Sequence, residues 1–134
     1  MKSVVNNLQK AVFEVLNSDA NLISEMGVDK IFDHQIAKVN FPYAVFANWR
    51  INDWSTDECE GEEHLFEIHI WGQKSGRKQV QSIASSIKTL LHDQPLVLDA
   101  GHLVNLRHQN TFINTQGRKR LQQARLIFRA TIEL

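Results

Sequence analysis

Two stretches in which apolar and polar residues alternate, separated by a short acidic segment, place the strongest limit on how this chain can fold. The first runs through residues 43–52, directly after Phe41-Pro42, and the second covers residues 66–71. A period of two is the pattern of a strand with one buried face. The two runs therefore predict an antiparallel hairpin whose tip is the acidic segment 55-STDECEGEE-63. A tip of about ten residues is longer than most hairpin connections.

The first run also predicts which side chains share a face. A strict period of two places Phe46 on one face and five residues on the other. Those five are Tyr43, Val45, Ala47, Trp49 and Ile51.

Two other segments show the 3.6-residue apolar period of an amphipathic helix. The first begins after Ser3, its expected cap, and carries apolar residues from Val4 to Leu16. Asp19 is expected to cap a short turn that Gly27 closes. The second helix follows Gly76, and its stripe consists of Val80, Ile83, Ala84, Ile87, Leu90 and Leu91.

Residues 103–113 and 126–132 predict a second hairpin around the turn 114-NTQG-117, and residues 30–33 predict a short strand. The resulting order is helix, short strand, two strands, helix, two strands. We therefore expect one α+β domain over residues 1–134, with an antiparallel sheet of about four to five strands and two helices packed on one face. Within it, Ile83, Ile87 and Leu90 should pack on the sheet face that carries Phe66, Ile68 and Ile70.

The composition is that of a soluble protein, with 134 residues, 43% of them hydrophobic and 22% charged. The first residues lack the continuous apolar core of a signal peptide, and no run reaches the length of a membrane span. Cys59 is the only cysteine, which agrees with a reducing cytoplasm. These features predict a protein that stays in the compartment where it is made.

The net charge of zero conceals an uneven distribution along the chain. Residues 1–73 hold 12 acidic and 5 basic side chains, whereas residues 74–134 hold 3 acidic and 10 basic ones. Either the two halves form one sheet and their charges mix in space, or an acidic face meets a basic face on another copy. The sequence leaves both alternatives open.

No catalytic or metal-binding pattern stands out. The chain has six histidines, none of them paired at the ligand spacing of a helix, and His64 and His69 should lie on opposite faces of their strand. The acidic segment lacks the spacing of a calcium loop, and its carboxylates disfavour a Cys59 thiolate. There is no Gly-x-Ser-x-Gly elbow and no phosphate-binding glycine loop. We therefore expect no metal and no cofactor.

The segment 117-GRKR-120 is the best indication of a nucleic-acid contact, but it is short and sits at a turn. The three tryptophans are typical of core or interface anchors. Trp54, at the start of the acidic segment, is the one expected to be exposed.

Six segments resemble, in their order and spacing, the tail-completion or tail-terminator proteins of long-tailed phages and of gene transfer agents. Each segment alone is a plain strand or helix pattern, so the resemblance depends on all of them together. The segments are 41-FPYAVF-46, 53-DWST-56, 64-HLFEIHIW-71, 76-GRKQVQSIASSIKTLLHD-93, 95-PLVLDAGHLVNLR-107 and 125-RLIFRATIE-133.

The resemblance implies a structural protein and not an enzyme. It implies a ring, usually of six copies, that caps the head-proximal end of the tail tube and joins it to the head connector. The expected partners are further copies of the chain, the major tail tube protein and the head–tail connector protein, with no membrane and with DNA only passing through the ring. The expected location is the virion tail, after assembly in the bacterial cytoplasm. The alternative from a different class is a small metal-dependent or nucleic-acid-processing enzyme.

For such a ring, we expect the contacts to involve the acidic segment and the basic turn, facing in opposite directions. Paired charges would set register and orientation, while an apolar anchor would supply affinity. The predicted interface residues are Trp54, Glu58, Glu60, Glu62, Glu63, Arg118, Lys119 and Arg120.

Overall fold

The computed structural model describes residues 3–36 and 38–134, which form three helices and five strands. None of these helices is long and apolar enough to cross a membrane. The elements are α1 (Val5–Ser18), α2 (Ala20–Met26), β1 (Ile31–Phe32), β2 (Tyr43–Asp53), β3 (Gly61–Gly72), α3 (Arg77–Leu91), β4 (His102–Gln116) and β5 (Leu121–Glu133).

The helices follow the predicted stripes, with two differences at their starts. The turn expected after Asp19 is a full helix, α2, and its cap is the predicted one, since the Asp19 carboxylate accepts from the backbone N–H of Leu22 at 2.9 Å. Ser3 does not cap α1, because Val4 occupies the cap position. The Ser3 hydroxyl instead accepts from the N–H of Val5 and donates to Glu62.

The sheet is mixed and not antiparallel throughout, which corrects the sequence-based prediction. Its order is β1-β2-β3-β5-β4, and β1 runs parallel to β2 while every other pair is antiparallel. Strand β2 starts level with the start of β1, since Ile31 pairs with Ala44 and Phe32 with Val45, and the two strands therefore run in the same direction. The helix α3 then carries the chain from β3 to the edge strand β4, and β5 returns between them.

The core lies where β3 and β5, two strands along which buried and less buried residues alternate, pack against the helices. Every second residue is buried from His64 to Gly72 of β3 and from Gln122 to Ile132 of β5, as the period of two predicts. Ile83 and Ile87 are fully buried, and Leu90 packs partly buried against the same core cluster. That cluster also contains Phe66, Ile68 and Ile70, so the predicted packing of α3 on this face of the sheet is confirmed.

Trp49 lies on the opposite face from the one predicted. A register shift between Ala47 and Arg50 breaks the alternation of β2, and Asn48 adopts a left-handed conformation with φ of 52°. Such a bulge adds one residue and reverses the sides of those that follow. The Trp49 ring consequently shares a face with Phe46 and stacks on Phe66, with 4.4 Å between ring centroids.

The strand registers place the acidic and basic turns at opposite ends of the sheet. Gly61 at the start of β3 stands opposite Glu133 at the end of β5, whereas Gly72 stands opposite Gln122. The loop 54–60 therefore lies at one end, here called the acidic end, and the turn 117–120 lies at the other, the basic end. A strand the length of β5 spans roughly 40 Å. The two charged turns of one copy therefore cannot neutralise each other.

Candidate subunit interface at the two ends of the sheet

The acidic loop is shorter than its sequence predicts, and hydrogen bonds within it hold its backbone. Strand β3 already begins at Gly61, so the connection is confined to residues 54–60. The N–H of Trp54 donates to the Gly61 carbonyl at 2.9 Å, and the N–H of Thr56 donates to the Cys59 carbonyl at 2.8 Å. A side chain at Gly61 would collide with the backbone and ring of Trp54, at 2.8 and 2.9 Å. The glycine thus allows Trp54 to fold back over the strand.

The four glutamates predicted at the tip fall into two pairs. Glu58 and Glu60 lie exposed in the loop, whereas Glu62 and Glu63 belong to β3 and are half-buried. Glu62 accepts from the Ser3 hydroxyl and contacts the ring Nε2 of His64, both at 3.0 Å. This carboxylate therefore ties the start of α1 to β3 within one chain.

Glu63 also has partners within its own chain. Its carboxylate accepts from Arg129 Nε at 2.6 Å and from the Asn52 amide at 3.0 Å. The hydrogen bonds from Asn52 and Arg129 lower the pKa of Glu63 below the ordinary glutamate value.

These bonds predict a pH dependence of stability. Because the pKa of Glu63 is lower in the folded than in the unfolded chain, its ionisation stabilises the fold above the ordinary pKa of about 4.5, and that stability is lost as the pH falls through the lowered value. We expect Glu63→Gln to lose less stability than the wild type between pH 6 and pH 3, as measured by urea denaturation across that range. Equal losses in the two proteins would show that the Glu63 contacts do not stabilise the fold.

An apolar patch accompanies the acidic loop. Trp54 is 37% exposed, as predicted, and two further apolar side chains at this end of the sheet, Ile51 and Leu134, are 39% and 36% exposed. The N–H of Leu134 donates to the Glu60 carbonyl at 2.9 Å, which holds it beside the loop. Ile51, Leu134 and Glu60 border a shallow pocket of about 360 Å³ whose other lining residues include Asp53 and Glu62. Exposed apolar side chains rimmed by carboxylates are typical of a protein-binding surface.

Two of these apolar residues were missed by sequence reasoning. Ile51 was assigned to a strand face, but the bulge in β2 changes its surroundings. Leu134 carries no local signal at all, because the pairing of β5 with β3 is what brings it to the loop.

The basic end carries more cations than the predicted turn. Arg118, Lys119 and Arg120 are exposed between β4 and β5. The Gln122 amide donates to the Lys74 carbonyl at 3.2 Å, which joins this turn to the segment that precedes α3. That segment and the first turn of α3 add three exposed cations, namely Lys74, Arg77 and Lys78.

These six cations have no ion-pair partner within the described part of the chain. The lysine and arginine pairs found there are Lys10–Asp99, Arg107–Asp93, Arg125–Glu67 and Arg129–Glu63. The two ends thus present unpaired charge of opposite sign, with an apolar patch beside the negative one.

Comparison with known proteins decides the class to which this arrangement belongs. The family model described as tail completion protein gp17 matches residues 10–133. The chain belongs to the tail completion protein gp17 family. Membership confirms the resemblance seen in the sequence and gives the chain a structural role in a virion tail.

A solved structure shows the same fold. A chain of the structure titled "Virion of native gene transfer agent (GTA) particle" superposes with a TM-score of 0.90 at 24% sequence identity, and the match covers 100% of both chains. At this identity the likeness concerns the fold. A search of curated proteins found no match.

For a tail protein, the buried histidine has a structural explanation. His64 is fully buried, and its Nδ1 accepts from the Trp49 indole N–H at 2.8 Å while its Nε2 faces Glu62. His69 lies on the opposite face of β3, as predicted, with its Nε2 2.8 Å from Glu67. In residues 3–36 and 38–134, no three histidine, cysteine, aspartate or glutamate side chains are grouped so that they could hold a metal ion.

Proposed function

We propose that this tail completion protein forms a ring, of six copies by the family resemblance, that caps the head-proximal end of a tail tube and joins it to the head connector. Its partners are then further copies of the chain, the major tail tube protein and the head–tail connector protein. The ring assembles in the bacterial cytoplasm and remains in the virion tail. The observation that carries the proposal is the pair of unpaired, oppositely charged ends at the two extremes of one sheet.

A surface that complements a different surface of the same molecule produces a heterologous contact. Such contacts close into a ring when the rotation between copies permits, and otherwise continue as a filament. The acidic loop with Trp54 offers carboxylates around an apolar anchor, and the basic turn with Arg118 and Arg120 offers the opposite charge. We infer that these charges set orientation, whereas the apolar patch supplies most of the affinity.

The layout of the domain supports the same proposal. We infer that residues 1–134 act as one domain whose helices cover a single face of the sheet. On the other face, the ion pairs Glu63–Arg129 and Glu67–Arg125 form a polar surface. This arrangement leaves the two ends of the sheet free for neighbouring proteins, and DNA would meet the subunit only while passing through the ring.

The test is to add the purified chain to tail tubes isolated without it and to image them by negative-stain electron microscopy. We expect a ring at one end of each tube and none along its side. Binding along the tube wall, or no binding at either end, would contradict the proposed role. Light scattering of the free chain is a weaker test, because a subunit that assembles only on its tube remains monomeric when purified.

The alternative of a metal-dependent enzyme gives a different result in elemental analysis. Since the ring nitrogens of His64 are already committed to Trp49 and Glu62, we expect less than a tenth of an equivalent of zinc in the purified chain. Zinc retained at one equivalent, and lost in His64→Ala or His69→Ala, would favour the enzyme.

A further inference from the structure

Strand β4 forms one edge of the sheet, and only its first half is covered. There the N–H of Asp93 donates to the Leu106 carbonyl at 2.8 Å, and the N–H of His108 donates to His92 Nδ1 at 3.0 Å. Both bonds come from the turn that ends α3, and they satisfy backbone groups that point away from β5.

The second half of β4, residues 109–116, has none of the usual protection of an edge. Its sequence QNTFINTQ contains no charge and no proline, and within the described chain no other strand pairs with its outer side. The register shifts of the strand end at Asn110. Proteins normally guard a long edge with charges, prolines or bulges, since its unpaired backbone groups are a template for another strand. Phe112 on this stretch is 44% exposed.

The backbone groups that point outward can be identified from the pairing. The backbone groups of Leu106 and His108 point away from β5. Both residues stand opposite even-numbered residues of that strand. Beyond the bulge, Thr111 and Ile113 also stand opposite even-numbered residues. Because the two sides alternate along β5, the N–H and C=O groups of Thr111 and Ile113 point outward as well.

The opposite edge of the sheet is β1, and it lies level with this free stretch. One row of paired residues crosses all five strands, namely Ile113, Ala124, Ile70, Ala44 and Ile31. Since the N–H of Ala44 donates to the Lys30 carbonyl, the parallel pairing turns the backbone groups of Ile31 away from β2. Outside β1 lies an open groove of about 510 Å³, bordered by Phe13 of α1.

We propose that the free half of β4 pairs with β1 of a second copy, so that the sheet continues from one subunit to the next. The two strands run in opposite directions in the sheet, which makes the contact antiparallel when copies stand side by side. At equal level, Ile113 then stands opposite Ile31 of the second copy, which matches outward-pointing groups with one another. The same register places Thr111 opposite Asp33, the residue that directly follows β1. The proposal rests on the ring proposed above and assigns the lateral contact between neighbouring subunits to the strand edges. At equal level the acidic loop of one copy lies beside the acidic loop of the next, so the charged ends then face the tail tube and the head connector.

The charges around the groove agree with this occupant. Lys10 at its border already pairs with Asp99 at 2.9 Å, and Asp33 lies beside His34. The groove therefore makes little demand for an external charge, and the free half of β4 brings none. A neutral β-forming segment fits it better than the strongly basic end of another copy.

The first experiment removes one outward N–H. Thr111→Pro deletes this donor without removing a bond to β5, while Thr111→Ala is the matched control, since both lose the contact of the hydroxyl with His108. Sedimentation velocity up to millimolar protein should show self-association that is about tenfold weaker in Thr111→Pro than in Thr111→Ala. Equal association of the two variants, or a wild-type chain that is monomeric at every concentration, would overturn the proposal.

The second experiment does not depend on a proline in a strand. In a Cys59→Ser background, Asp33→Cys and Thr111→Cys should form a disulfide between copies under mild oxidation, since a hydrogen-bonded antiparallel pair has Cα atoms roughly 5.5 Å apart. The register control combines Asp33→Cys with Gln116→Cys. No disulfide in the first pair, or equal formation in both, would overturn the edge pairing. The proposed function would survive that result if the wild-type ring still capped tail tubes.

Discussion

Replacing Ile87 by alanine is expected to lower the free energy of unfolding by about 2–5 kcal/mol. Ile87 is fully buried in the middle of α3, within the cluster that joins this helix to Ile68 and Ile70 of β3. The substitution removes apolar atoms from the core and leaves a cavity that the surrounding strands and helices can fill only in part. Urea denaturation monitored by far-UV circular dichroism measures the loss.

The matched control for Ile87 is Ser85→Ala on the same helix. Ser85 is exposed, so its replacement should change the free energy of unfolding by less than about 0.5 kcal/mol. An unchanged denaturation midpoint in Ile87→Ala would mean that α3 does not pack on the sheet through this face.

Reversing Glu58 and Glu60 to lysine is expected to abolish ring or tube-end assembly and to leave the folded monomer intact. Both side chains are exposed in the loop and have no fold-stabilising contact of their own among the described residues. Each exposed ion pair contributes about 0–1 kcal/mol, but a ring repeats the contact at every subunit, and reversal turns each attraction into repulsion. Assembly is measured on tail tubes by electron microscopy, and folding by the melting temperature.

The choice of glutamates matters for this experiment. Glu62 and Glu63 lie in the same acidic segment, but they bind Ser3, Asn52 and Arg129 in their own chain, so reversing them would also destabilise the monomer. The structure therefore separates the two glutamates suited to testing the interface from the two that support the fold.

A compensating variant tests whether the two ends meet. Adding Arg118→Glu, Lys119→Glu and Arg120→Glu to the Glu58→Lys, Glu60→Lys chain should restore part of the assembly if the acidic loop of one copy contacts the basic turn of another. Normal assembly of the chain that carries only Glu58→Lys and Glu60→Lys would leave the loop as a solvated hairpin tip. Failure of the compensated chain, with assembly lost in the first variant, would assign the partner of the acidic end to the tube or the connector.

The local periodicities of the sequence determined the elements and most of their buried faces. The period of 3.6 defined α1 and α3, and the period of two defined the buried sides of β3 and β5, because each depends only on residues a few positions apart. The second hairpin likewise follows from local chemistry, but its turn lies at residues 117–120 and not at the predicted 114–117, because β4 continues to Gln116. The expectation of an exposed Trp54 came from its place beside the acidic segment, and the structure confirms it.

Tertiary structure alone decided which distant segments meet. The parallel direction of β1 comes from its pairing with β2, and the side on which Trp49 lies comes from a bulge that no period reveals. Pairing of β5 with β3 brings Leu134 to the Glu60 carbonyl and Arg129 to the Glu63 carboxylate. The acidic segment is therefore divided between an exposed loop and a strand whose glutamates are hydrogen-bonded within the chain. Sequence patterns record how a segment repeats along itself, whereas these outcomes depend on hydrogen-bonding register between strands far apart in the chain.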